Sequence, residues 1–60
     1  RKKVEQFLAC IGAHADAPCL FACEAAVDPH TQQFIRAIYI AQCLACAGPK
    51  AVACARRYLA

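Results

Sequence analysis

Cys19-Leu20-Phe21-Ala22-Cys23 and Cys43-Leu44-Ala45-Cys46 hold four of the six cysteines of this 60-residue chain. On helices, Cys19 and Cys23 stand at i and i+4 and Cys43 and Cys46 at i and i+3, so each pair projects from one helix face. Two thiol-bearing faces need a partner. They are expected to meet each other, either as disulfides stapling two helices or as a four-thiolate metal site. The choice between the two sets the compartment and most of the function.

Length favours the disulfides. A chain of this size forms one domain and buries only about 60% of its unfolded surface, so an apolar core alone leaves it marginal. Six cysteines in 60 residues is the density of short secreted chains, where an even count reads as a disulfide framework. Residues 1–60 are therefore read as a single helical cysteine-rich domain. The sequence starts at Arg1 and contains no Met, which suggests the mature product of a longer precursor. No apolar run approaches the roughly 20 residues of a membrane-spanning helix. Ser and Asn are absent, which removes serine nucleophiles and N-glycosylation sites.

Ala dominates the composition, Gly occurs only at positions 12 and 48, and β-branched residues are few, a mixture that favours helix throughout. The expected architecture is all-α, a small disulfide-rich bundle of three to four short helices. Val4, Phe7, Leu8 and Ile11 follow the i, i+3, i+4, i+7 rule and predict an amphipathic helix over 3–11, ended by Gly12. Residues 13–17 form a connector, in which Asp16 caps a second helix whose first turn accepts Pro18. Asp28-Pro29 stops that helix and, on the same chemistry, is expected to cap a third running from Pro29 to Ala47. Phe34, Ile35, Ile38, Tyr39, Ile40 and Leu44 give the third helix an apolar surface wider than one stripe, which predicts that it is the central one. Gly48 is the expected C-cap, and Pro49 is expected to begin a fourth helix through Val52, Cys54 and Tyr58, with Arg56 and Arg57 in its last turn.

Six cysteines allow fifteen connectivities. A turn near residue 14 sets Cys10 opposite Cys19, and a turn at Gly48 sets Cys43 opposite Cys54. The preferred framework is nested, Cys10 with Cys54, Cys19 with Cys46 and Cys23 with Cys43, because it ties both ends and the centre. The firmer expectation is one bond between the Cys19/Cys23 face and the Cys43/Cys46 face.

The cysteine order, one single, two close pairs and one single, resembles that of the arthropod hyperglycaemic-hormone and ion-transport-peptide family, small helical proteins with three disulfides. The resemblance implies a secreted signalling role. Here the close pairs are Cys-x3-Cys and then Cys-x2-Cys, the reverse of that family's order, and no residues match outside the cysteines, so membership does not follow.

Cys43-Leu-Ala-Cys46 has the spacing of thiol oxidoreductases, but the reactive form sits at a helix N-terminus, whose dipole lowers the thiol pKa. These two fall in the last turns of a helix, where the dipole opposes the thiolate. Cys19, Cys23, Cys43 and Cys46 could instead hold Zn²⁺ or Cu(I) in a reducing compartment, which would leave Cys10 and Cys54 without a role. His14 and His30 fall in loops or first turns. Glu5, Asp16, Glu24 and Asp28 are scattered, with no acid–base pair or triad among them. The reading is not an enzyme, with no cofactor or metal.

Net charge is +3, with Arg1, Lys2 and Lys3 opening the chain and Arg56 and Arg57 nearly closing it. Too few cations alternate with aromatics for nucleic-acid binding. If a Cys10–Cys54 bond joins the ends, these five cluster at one pole. They serve there as ordinary solubilising charges, or as a patch for an anionic membrane surface or a membrane receptor or channel. The reading reached is a secreted, disulfide-stabilised helical peptide acting by binding, as a toxin or host-defence (antimicrobial) peptide. The alternatives are a secreted pheromone or hormone and an intracellular thiolate metal-binding protein.

Overall fold

The computed structural model describes residues 2–12 and 15–59. They form four helices and no strand, α1 (Lys2–Ile11), α2 (Ala17–Val27), α3 (Gln33–Ala47) and α4 (Ala51–Tyr58). This is the small disulfide-rich all-α bundle that the composition implies.

Local chemistry sets most of the boundaries. Gly12 ends α1 at a φ of 68°, and its amide donates to the Leu8 carbonyl at 3.0 Å, the left-handed cap that a residue without Cβ adopts freely. The Asp16 carboxylate accepts the Cys19 amide at 3.0 Å and caps α2, with Pro18 in the first turn. Gly48 closes α3 at φ 95° and ψ 175°, a region open essentially to glycine alone.

Two starts differ from expectation. Asp28 does not open α3. Its Oδ1 accepts the His30 amide at 2.9 Å and its carbonyl accepts the Thr31 amide at 3.1 Å, so it caps one tight turn. Gln32 is then extended, and the helix begins at Gln33. The reason lies in Arg36, whose guanidinium donates to the carbonyls of Pro29 at 3.3 Å and Thr31 at 2.8 Å. Those carbonyls would accept helical amides if α3 ran through the turn. Likewise Pro49 and Lys50 form a turn in which the Ala51 amide donates to the Gly48 carbonyl at 3.1 Å, and α4 starts at Ala51 and not at Pro49.

α3 is not the helix that the others pack around, for α4 packs on α1, α2 and α3. α2 packs on α3 and α4, α1 packs on α4, and α3 touches α4 more lightly. Among the described residues the buried side chains are Phe7 and otherwise only Cys and Ala, namely Cys19, Ala22, Cys23, Ala26, Cys43, Ala47, Ala51, Cys54 and Ala55. Small side chains allow close approach, and the Cα atoms of Cys23 and Cys43 are 4.8 Å apart. A gap that narrow has no room for a bulky residue between the two cysteines. Tyr39 and Ile40 pack half-buried against the core, while Phe34 and Ile38 point outward, 69% and 56% exposed.

Candidate functional site

All six cysteines are paired, as Cys10–Cys54, Cys19–Cys46 and Cys23–Cys43. This is the nested set preferred from the sequence. Two of the bonds cross between α2 and α3, and the third ties the last turn of α1 to the middle of α4. The Sγ atoms of Cys19, Cys23 and Cys46 lie within 4.8 Å of one another, as a thiolate site would require. Each is bound to another sulfur, however, and a half-cystine has no thiolate to offer a metal. Cys43 and Cys46 are bonded outward to α2 and not to each other. Three disulfides in 60 residues point to an oxidising environment.

The basic residues divide between the described and the undescribed parts of the chain. Arg1 and the Lys2 side chain lie outside the described residues, as does His14. Lys3, Arg56 and Arg57 are exposed. Arg57 holds its guanidinium carbon 5.6 Å from the centre of the Tyr58 ring, within the range of a weak cation–π contact at an exposed site.

Glu24 shows how the two ends are disposed. It borders one shallow groove with Val4, Ala17, Leu20 and Phe21 and a second with Val27, Asp28, Pro29, His30 and Leu59. The first turn of α1 and the end of α4 therefore flank the same turn of α2. Lys3 adjoins Val4, and Arg56 and Arg57 precede Leu59, so each lies within three residues of a side chain that lines one of the two grooves.

Sequence reasoning missed a second feature, the bare apolar face of α3. At about 100° per residue, Leu44, Ala37, Ala41, Phe34, Ala45 and Ile38 fill an arc about 120° wide, roughly opposite Cys43. All six are exposed, and Gln33 and Gln42 border the arc. Arg36 falls on the opposite side, beside Cys43, where its carbonyl partners hold it. Below Ile38, the half-buried Tyr39 meets the Phe21 ring edge-to-face, with centroids 5.7 Å apart, and Phe21 is itself 61% exposed. Cysteine spacing carried part of the signal, since positions i and i+3 fix which face of α3 is tethered and Phe34 and Ile38 lie away from it, whereas Tyr39 falls between the two cysteines.

No protein family matches the chain, and comparison with curated proteins and with solved structures likewise returned no match.

Proposed function

We propose that this chain is a secreted, cystine-framed helical peptide that acts by binding and not by catalysis, as a toxin or host-defence peptide at an anionic membrane surface or a membrane protein. The observation that carries the reading is the placement of exposed Lys3, Arg56 and Arg57 on two helices that one disulfide holds together. A basic residue held near an anionic leaflet contributes about 1 kcal/mol to binding. Charges fixed on a rigid body do so without first ordering a flexible chain. The three cystines support the same reading, because a core of Ala and Cys needs covalent ties to persist in an oxidising medium outside the cell.

Dye release from vesicles tests the proposal. Vesicles containing phosphatidylglycerol should leak at peptide concentrations that leave phosphatidylcholine vesicles intact. Leakage should fall as salt rises from low ionic strength past the physiological range, where the screening length shortens to about 8 Å. A protein that leaves both vesicle types intact at every salt concentration would instead favour receptor recognition by a hormone or pheromone.

A further inference from the structure

We infer that the Cys19–Cys46 bond is a thiol-exchange site, at which a small thiol carrying a positive charge opens the disulfide and attaches covalently to Cys46. This chemistry is independent of membrane association.

The three cystines differ in what covers them. Cys23 and Cys43 are fully buried, and Cys10–Cys54 joins a half-buried residue to a buried one. Cys46, in the last turn of α3, is exposed, whereas its partner Cys19 is only 5% exposed. A disulfide opens when a thiolate reaches one of its sulfurs, so access decides which bond exchanges, and exposed bonds are the labile ones. A groove of about 280 Å³, lined by Asp16, Pro18, Cys19, Ala22, Gln42 and Cys46, gives a small molecule room beside this bond. The two grooves that share Glu24 hold no cysteine.

The step needs nothing beyond the thiol. Its thiolate sulfur bonds to the Sγ of Cys46, the accessible one, as the bond from Cys46 to Cys19 breaks. The electron pair of the broken bond leaves on the Cys19 Sγ as a thiolate. The incoming thiol is thereby oxidised to a mixed disulfide and Cys19 is reduced. Attack by Cys19 on that mixed disulfide reverses the step and releases the thiol. The Cys23–Cys43 bond meanwhile keeps α2 on α3.

Charge selects among thiols. Asp16 is, among the described residues, the one charged side chain along the groove, and its carboxylate is held in place by the Cys19 amide. A fixed carboxylate repels an attacking thiolate, more strongly one that also carries an acid group, and repels least a thiolate whose charge an amine balances.

The test starts from the folded chain with three disulfides confirmed by intact mass. Cysteamine, mercaptoethanol or mercaptoacetate is added at low salt, the reaction is quenched with acid, and free thiols are alkylated with N-ethylmaleimide and located by peptide mass analysis. The first product with cysteamine should carry the amine on Cys46 and the maleimide on Cys19, with Cys10–Cys54 and Cys23–Cys43 intact. The variant Cys19→Ala/Cys46→Ala should yield no labelled product in the same time. Asp16→Asn removes the charge and keeps a residue that caps a helix equally well. Comparing it with the unaltered chain, thiol by thiol, cancels each thiol's own reactivity. Opening by cysteamine should hardly change, by mercaptoethanol should quicken about threefold and by mercaptoacetate about tenfold, which is the effect of one and of two charges across roughly 6 Å of water. These differences should shrink as salt is added.

Earlier opening of Cys10–Cys54 or Cys23–Cys43, or loss of all three bonds together, would overturn the site. Cysteamine on Cys19 with Cys46 alkylated would overturn the choice of the attacked sulfur. Equal changes for the three thiols in Asp16→Asn would overturn the preference for positive charge and leave the exchange site standing.

Discussion

Asp16 is the residue whose task is set most locally. Its carboxylate accepts the Cys19 amide, one of the donors that the first turn of α2 would otherwise leave unpaired, and replacement of such a cap by Ala typically costs about 1 kcal/mol. Asp16→Ala should therefore lower the thermal midpoint by about 4 to 8 °C, as that loss does in a domain of this size, without altering the disulfides. Calorimetry with mass analysis checks both parts, and an unchanged midpoint would mean that the two cystines of α2 already hold its first turn. The contrast with Asp28 shows what a single sequence reveals. Both aspartates precede or adjoin a proline and both are good caps, so cap chemistry alone extends α3 back to Pro29. What separates them is Arg36, seven residues beyond Pro29, which claims the carbonyls of the turn. A contact made by a long side chain across a turn leaves no mark in propensity or spacing.

At the scale of the helices, size counts for more than hydropathy. The breadth of apolar residues on α3 predicts a central helix, yet α3 buries only Cys43 and Ala47, whereas the shorter α2 buries Cys19, Ala22, Cys23 and Ala26. Disulfides bring Cα atoms within 4.8 to 5.9 Å, so the covalent ties select small residues for the shared face and leave Phe34 and Ile38 outside. Bundle, helix number and the meeting of the two cysteine pairs were legible, since each follows from periodicity and punctuation. The inside of α3 was not, because hydropathy does not record how closely two helices approach. The same ranking of ties predicts how the bundle comes apart. α1 packs mainly on α4, and the Cys10–Cys54 bond closes the largest loop, with a sequence separation of 44, which corresponds to roughly 4 kcal/mol of unfolded-state entropy. With Cys10→Ala and Cys54→Ala together, hydrogen exchange should show α1 amides losing protection well before those of α2 and α3, which keep two bonds between them. Uniform loss across all four helices would mean that the bundle opens as one unit, and that α1 belongs to the same cooperative core through Phe7.

Across the whole molecule the question is whether the two ends of the chain act as one charged surface. The body measures 28 × 20 × 18 Å, so charges at opposite poles would stand about three screening lengths apart at physiological salt, where that length is about 8 Å. Charges at one end would share a field. Val4 of α1 and Leu59, just past α4, line two grooves that share Glu24, and a positive field shared by the two ends would be lowered by the carboxylates of Glu24 and Asp28. Substituting Gln for Arg56 and Arg57, or for Arg1, Lys2 and Lys3, should leave the thermal midpoint nearly unchanged, because exposed charges contribute roughly 0 to 1 kcal/mol per pair to folding. Vesicle leakage should fall in both variants by similar factors. In combination the losses should depart from additivity, since groups that act on one target surface are coupled whereas distant, independent sites add. The carboxylates supply an internal check on sign, for Glu24→Gln should raise leakage at low salt if the shared field is what matters. Strictly additive effects, or none, would mean that the ends act separately or not at all.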